Sequence, residues 1–252
     1  MGHVADPRDY GDDLSLALEH FWNTRAKQAE LSRASGADGA VSRRDEVTGG
    51  KHLHGIEDLI ERVVVASGVP RNLLQLQRRS VPGFFRRTKD WDVAILVSGR
   101  PMAIIELKSM VGPDVGKNFN NRTDEALGQA IDVWKAAERG LLGQGSRLWI
   151  GYVMVLEDGP SANKPTKVQS GAIFPPDPIF ENASHAERFR IFFERMITER
   201  MLDAACVVLT PRGSGEHSHP SPTTSFATFV AALHGRVLQF KAMNPDLDWS
   251  IE

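Results

Sequence analysis

The sequence predicts one α/β domain in which a mixed central sheet is flanked by helices. Short runs that are apolar on both faces alternate along the chain with longer segments of helical periodicity. This alternation is typical of strands buried between two layers of helices. No linker rich in Pro, Gly or Ser divides the 252 residues into two cores, so we expect a single domain over residues 1–252 with long loops.

Composition and charge exclude several classes of protein. The formal net charge is −2, so a nucleic-acid enzyme with this balance must concentrate its Lys and Arg on one face. Cys206 is the only cysteine, which excludes an intrachain disulfide and a cysteine-based zinc site, and its apolar surroundings predict a buried, inert thiol. The sequence has no signal segment and no apolar run of membrane-spanning length, which predicts a cytoplasmic protein without a membrane partner.

Five helices are predicted from apolar side chains that recur at helical spacing. They cover approximately Asp12–Arg33, Ile56–Ser67, Thr123–Arg139 and Ala183–Asp203, and a last helix begins in Thr223–His234. In the third helix we expect Thr123 to be the cap, with Asp124 and Glu125 in the first turn.

Four buried strands are predicted between these helices. They cover Asp92–Val97, Met102–Lys108, Leu148–Leu156 and Ala205–Leu209. The first two are joined by the short turn Ser98–Pro101 and form a hairpin. A basic run, Arg78–Lys89, precedes the hairpin, and a polar loop, Val111–Arg122, follows it.

The charged residues of the predicted hairpin form a candidate active site. Side chains alternate along a strand, so Glu106 and Lys108 point to one side while Leu107 points into the core. Asp92 opens the partner strand, and the hairpin brings it to the same end. Charges that converge at the edge of an apolar sheet must pair with one another or bind metal.

The chemistry of these groups suits a magnesium-dependent nuclease. The carboxylates of Asp92 and Glu106 and the carbonyl of Leu107 offer an all-oxygen site, which Mg²⁺ prefers. Lys108 beside the metal would orient water and stabilise charge on a phosphate oxygen. This is the pattern of PD-(D/E)xK nucleases and their restriction-endonuclease-like core, with Trp91 in place of the proline. The competing interpretation is an ordinary ion pair at the end of a strand.

Two positions of the site stay open at this point. Asp90 would share a face with Asp92 in an extended segment, and we prefer Asp92 because it adjoins the apolar strand. Glu57, from the preceding helix, is a further candidate metal ligand, and Glu61, one turn later, is its substitute.

Polar residues on both sides of the hairpin are candidates for DNA contact. Amide and guanidinium groups near a helix N-terminus suit phosphates and base edges, and a basic run suits the phosphate backbone. The candidates are Asn118, Asn120, Asn121, Arg122, Arg86, Arg87 and Lys89. Glu125 and Gln129 lie four residues apart on one helix face, where Gln129 would orient the lysine or contact a phosphate.

Several segments of this chain closely resemble the XhoI family of type II restriction endonucleases, and the resemblance spans most of the chain. The segments are Ile105-Glu106-Leu107-Lys108-Ser109, Val111-Gly112-Pro113 and Asn118-Phe119-Asn120-Asn121-Arg122-Thr123-Asp124-Glu125-Ala126-Leu127-Gly128, with Glu19-His20-Phe21-Trp22 and Val47-Thr48-Gly49-Gly50 nearer the N-terminus.

The resemblance implies a homodimer that uses Mg²⁺ to cut double-stranded DNA at CTCGAG, after the first C on each strand, leaving 5′ TCGA overhangs. It also implies a cognate DNA methyltransferase that protects host DNA without forming a stable complex. The family's active-site pattern carries onto Asp92, Glu106 and Lys108. The alternative is a catalytically silent or structure-specific DNA-binding protein of the same fold.

Overall fold

A five-stranded mixed sheet forms the centre of the computed structural model, which describes residues 10–34, 50–143, 148–166 and 173–250. The strands are β1 (Leu74–Pro82), β2 (Thr88–Val97), β3 (Arg100–Met110), β4 (Trp149–Glu157) and β5 (Ala204–Thr210), in this order across the sheet. β1, β2 and β3 are antiparallel neighbours, whereas β3, β4 and β5 are parallel. The predicted α/β class with a mixed central sheet is confirmed.

Five long helices cover the two faces of this sheet. They are α1 (Gly11–Ala34), α2 (His54–Ala66), α3 (Phe119–Glu138), α4 (His185–Thr198) and α5 (Phe226–Met243). Helices α1, α2 and α5 pack on one face, called the α1 face, and α3 and α4 pack on the other, called the α3 face. None of the helices in the described ranges is long and apolar enough to cross a membrane.

Alternation along the strands divides the core between the two faces. Ile105 and Leu107 belong to the core on the α1 face, while Ile104 belongs to the core on the α3 face. Each such buried side chain contributes roughly 1.5–3 kcal/mol relative to an exposed one. Cys206 is fully buried on the α1 face, where burial raises the pKa of its thiol, so the prediction of a buried thiol is confirmed.

Strand β1 was absent from the predicted strands. Leu74 and Leu76 are only partly buried in this edge strand, and polar residues alternate with them, so the apolar signal is weak. The basic run that we placed before the hairpin therefore starts inside β1. The side chains of residues 77–79, including Arg78 and Arg79, and the segment Val47-Thr48-Gly49 lie outside the described part of the structure.

The turn of the predicted hairpin is tighter than expected. Ser98 and Gly99 alone form it, with φ of 50° and 77°, which is the left-handed geometry of a two-residue type I′ turn. Arg100 and Pro101 already pair with β2, opposite Val97 and Leu96. Assigning them to the turn was wrong because turn-forming residue types also occupy the first positions of a strand.

The start of α3 also differs from the prediction. The helix begins at Phe119 after the N-cap residue Asn118, so Thr123 is not its cap, and Asp124 and Glu125 lie beyond its first turn. Phe119 is buried, and its ring centroid lies 4.6 Å from that of Phe189 in α4. This tertiary contact stabilises an extra helical turn that the polar sequence alone does not favour.

The ends of the last two helices were misplaced as well. Helix α4 stops at Thr198, short of the predicted end at Asp203, and α5 starts at Phe226 instead of Thr223. Ser225 caps α5 by accepting a hydrogen bond from the Thr228 N–H at 3.2 Å. Such ends depend on capping contacts, which periodicity does not encode.

Candidate active site

A β-bulge in β2 positions Asp92. Gln77 and Arg79 of β1 pair with Ala94 and Trp91 of β2, so β2 contains one residue more than β1 between these pairs. The extra residue interrupts the alternation of side chains, because Trp91 packs on the α3 face while Val93 packs on the α1 face. Bulges often re-aim a side chain beside an active site. Asp92 was predicted to open its strand, but it lies inside β2 at this bulge.

The three charged groups of the candidate site converge as predicted. The ammonium nitrogen of Lys108 contacts Oε1 of Glu106 and lies 3.3 Å from Oδ2 of Asp92. The Leu107 carbonyl oxygen also accepts a hydrogen bond from Lys108 Nζ at 3.3 Å. Asp92 Oδ2 also accepts a hydrogen bond from the Leu107 N–H at 2.9 Å. Their roles in catalysis stay predictions.

This donor set fits a hard divalent cation such as Mg²⁺. The two carboxylates and the carbonyl that we predicted as ligands all direct an oxygen towards one positive charge, the Lys108 ammonium. Oxygen-only sites of this kind suit Mg²⁺ better than softer metals. Within the ranges that the structure describes, no group of three or more His, Cys, Asp and Glu side chains could hold a metal, and the set here consists of two carboxylates and a main-chain carbonyl.

Lys89, which we predicted as a candidate for DNA contact, lies within the candidate site itself. Its Nζ pairs with Oε2 of Glu106 at 2.6 Å and lies 4.4 Å from the ring centroid of Trp91. The Lys89 side chain is only 13% exposed. Two lysines thus neutralise Glu106, which is 2% exposed and would be expensive to bury without partners.

The geometry favours Asp92 over Asp90. The Asp90 side chain is exposed and accepts a hydrogen bond from the Ser80 hydroxyl of the neighbouring edge strand. Asp92 contacts Lys108 and the backbone of Leu107 instead.

Helix α3 brings Gln129 to the buried carboxylate. Gln129 Nε2 lies 3.5 Å from Oε1 of Glu106. Arg122, two turns earlier on the same helix, pairs with Glu125 at 2.6 Å. Gln129 therefore contacts Glu106 rather than Lys108, whereas Glu125 pairs with an arginine of its own helix.

Tyr152 of β4 is a site residue that the sequence reasoning missed. It lies opposite Glu106 in the parallel pairing of β3 and β4 and is almost fully buried. Burial, followed by the nearby charge of Glu106, raises the pKa of Tyr152 well above its ordinary value. Within the described ranges, its hydroxyl, Oε1 of Gln129 and Nε of Arg122 are buried without a hydrogen-bond partner. A tyrosine in an otherwise apolar strand was the only signal for it.

Helix α2 reaches the same edge of the sheet from the α1 face. His52, just before α2, lies with Nε2 3.2 Å from the hydroxyl of Ser109, the residue after Lys108. Glu57 is in the first turn of α2 with its side chain 28% exposed, and its Oε2 is 4.0 Å from His54 Nε2. Glu61 pairs with Arg71 at 2.8 Å on the surface, which favours Glu57 as the acid of this helix.

The remaining candidates for DNA contact lie at two places. Asn120 and Asn121 are exposed, and Asn118 is half-buried, at the start of α3. Arg87 is exposed in the loop between β1 and β2, while the Nε of Arg86 lies 2.9 Å from Oδ2 of a buried aspartate of α3, Asp132.

The chain is similar in sequence to known restriction enzymes. A family model described as restriction endonuclease XhoI matches residues 31–221. The type II restriction enzyme BstVI of Geobacillus stearothermophilus is 35% identical over 189 residues, which are 73% of this chain and 83% of that protein.

Two further relatives carry the same description. The type II restriction enzyme AbrI of Azospirillum brasilense is 37% identical over 159 residues, covering 62% of this chain and 70% of the relative. The type II restriction enzyme XhoI of Xanthomonas vasicola is 32% identical over 195 residues, covering 76% of this chain and 77% of the relative. No solved structure matches the chain.

Proposed function

The chain belongs to the XhoI family of restriction endonucleases, and we propose that it cuts double-stranded DNA at CTCGAG in a Mg²⁺-dependent reaction. The cut follows the first C on each strand and leaves 5′ TCGA overhangs. The observation that carries the proposal is the convergence of Asp92, Glu106 and the Leu107 carbonyl on Lys108. The names of the relatives, all type II restriction enzymes, support the reaction class.

The residues present would hold Mg²⁺ at the edge of β2 and β3. Its ligands would be the carboxylates of Asp92 and Glu106 and the carbonyl oxygen of Leu107, with Glu57 as a further candidate from α2. A bound Mg²⁺ supplies an acidified water and neutralises charge on the phosphate.

The two lysines then have different tasks. Lys108, with 21% of its side chain exposed, is open to the substrate and stabilises negative charge on the phosphate while it orients the attacking water. Lys89 is more deeply buried and pairs with Glu106, whose carboxylate it holds in position.

A twofold-symmetric palindrome calls for a homodimer with one active site for each strand. The candidates for DNA contact are Asn118, Asn120, Asn121, Arg122, Arg86, Arg87 and Lys89, of which Lys89 also pairs with Glu106. A cognate DNA methyltransferase protects the host's own sites and acts on the same DNA without a stable complex.

Sequencing the fragment ends tests the proposal most directly. A plasmid with one CTCGAG site is incubated with purified protein and Mg²⁺, beside a plasmid in which one base of that site is changed. We expect a single linear product with TCGA overhangs from the first plasmid only. Lys108→Ala is the control for a contaminating nuclease and is expected to be inactive.

Random degradation, a different cut sequence or full activity of Lys108→Ala would contradict the proposal. Specific binding of the CTCGAG plasmid without cleavage in Mg²⁺ or Mn²⁺ would instead favour a catalytically silent DNA-binding protein of this fold.

A further inference from the structure

We infer that residues 83–87, the tip of the β1–β2 hairpin, are a rigid DNA-contacting element that places Phe85 against the bases beside the cleaved phosphate. This tip joins β1 to β2 and contains Gly83, two phenylalanines and two arginines. The inference rests on the proposed function, because it concerns how the same site holds its DNA.

The tip exposes aromatic surface that the fold does not use. Phe85 is 70% exposed and Phe84 is 42% exposed. Their ring centroids are 4.9 Å apart in an edge-to-face arrangement, and the Arg139 guanidinium lies 5.5 Å from the Phe84 ring. Two neighbouring exposed rings form a contiguous apolar surface, a feature that soluble proteins commonly use for interaction.

A buried carboxylate of α3 fixes the conformation of this tip. Oδ1 of Asp132 accepts hydrogen bonds from the backbone N–H groups of Phe84 and Phe85, at 2.8 and 2.6 Å. Oδ2 of the same carboxylate pairs with Nε of Arg86 at 2.9 Å, and the Asp132 side chain is only 5% exposed. Charge-assisted hydrogen bonds of this kind are stronger than neutral ones, so the backbone that carries Phe85 is held in place.

Gly83 makes this close approach possible. A Cβ at this position would overlap Oδ2 of Asp132 and would lie 2.7 Å from the carbonyl oxygen of Arg86. Any larger residue would therefore push the tip away from α3. The exposed phenylalanines therefore lie on a backbone that defined contacts with Asp132 hold in place.

Strand β2 and helix α3 both connect the tip to the candidate active site. Along β2, Lys89 follows the tip by two residues and pairs with Glu106 at 2.6 Å. Along α3, Gln129 precedes Asp132 by three residues and lies 3.5 Å from Glu106. A DNA strand whose phosphate reaches Glu106 and Lys108 therefore passes beside the tip.

The chemistry of the tip suits DNA. Asp132 balances the charge of Arg86, which leaves Arg87 and Arg139 as exposed cations on either side of the phenylalanines. Arginines contact phosphates, and an aromatic side chain stacks on a base or enters a base step. If a second copy of this chain contacted the tip instead, both rings would be buried in a protein interface. The experiment below distinguishes that interface from a DNA contact.

The test measures DNA binding of Phe85→Ala in the full chain that also carries Lys108→Ala, which prevents cleavage. The probe is a fluorescent duplex with one CTCGAG site and with 2-aminopurine next to the cut position. We expect the affinity for the duplex to fall roughly 10-fold or more. The change in 2-aminopurine fluorescence that the parent causes on binding should also be lost. Phe85→Trp should retain the affinity and the 2-aminopurine signal. Leu238→Ala, the control, should retain them too, because it truncates a 51% exposed residue of α5 on the α1 face.

Each contrary outcome has a distinct meaning. Unchanged affinity and unchanged 2-aminopurine signal in Phe85→Ala, with normal binding by the parent, would overturn only this inference. A fall in molecular mass of Phe85→Ala without DNA, measured by sedimentation, would overturn it in favour of a copy–copy interface. Failure of the parent to bind the CTCGAG duplex would overturn the proposed function together with the inference.

Discussion

Helices α2 and α3 approach the candidate active site from opposite faces of the sheet, and they meet it differently. Helix α3 contacts the buried Glu106 directly, through Gln129 at 3.5 Å. Helix α2 is held at the edge by His52 and Ser109, 3.2 Å apart, and offers Glu57 with a side chain 28% exposed.

The difference follows from the strand between the two helices. Glu106 and Lys108 alternate with Ile105 and Leu107, so the charged pair faces α3 while the apolar pair faces α1 and α2. One helix therefore contacts a carboxylate inside the protein, whereas the ligand role of Glu57 on the other stays a prediction.

The largest effect is expected for Glu106→Gln, which removes the carboxylate that both lysines contact. We expect the cleavage rate to fall on the order of 10³-fold, because the charge that would hold the metal is lost. Stability should fall by about 3 kcal/mol, because Lys89 and Lys108 lose the carboxylate that both of them contact. Single-turnover cleavage and urea unfolding measure the two effects.

Glu138→Gln is the matched control, because Glu138 also pairs with a lysine but is 61% exposed. It should change neither quantity. Near-normal cleavage by Glu106→Gln would refute the assignment of the α3 face as the catalytic one.

The next effect is expected for Glu57→Gln, which tests the contribution of α2. If Glu57 is a ligand at the rim, cleavage should fall on the order of 100-fold and the Mg²⁺ concentration for half-maximal rate should rise. Glu61→Gln should leave both values unchanged, because Glu61 pairs with Arg71 on the surface. The reverse result would make Glu61 the acid of this helix.

A smaller effect is expected for Gln129→Ala, which removes the contact of α3 with Glu106. Outer contacts of this type change metal affinity or rate by roughly 10-fold to 100-fold, and we expect the lower end because the distance is 3.5 Å. The readout is the dependence of rate on Mg²⁺. Gln239→Ala on α5 is the control, and an effect of Gln129→Ala equal to that of this control would limit α3 to a packing role.

The smallest effect is expected for Tyr152→Phe. The Tyr152 hydroxyl has no hydrogen-bond partner within the described ranges, so its removal should change stability by less than about 1 kcal/mol. Cleavage should stay within a few-fold of the parent. A large fall in rate with unchanged stability would show that the hydroxyl acts on Glu106, for example through a bound water.

Much of the fold was predictable from the sequence, and the errors share a cause. The four buried strands were recognised because each is apolar on both faces, as the pattern of Trp149–Glu157 shows. The edge strand Leu74–Pro82 was missed because one of its faces is polar and only partly covered. The start of α3 at Phe119 was missed because a contact with Phe189 in another helix stabilises it.

The sequence by itself determined that Glu106 and Lys108 share a face and that Leu107 points into the core, because alternation is a local property of one strand. Only the tertiary structure decided that Lys89 joins Glu106 and that Asp132 holds the hairpin tip. Those contacts depend on a bulge in β2 and on the packing of α3 against the sheet. Both bring together residues that are distant in sequence, and the periodicity of a single segment does not encode such long-range contacts.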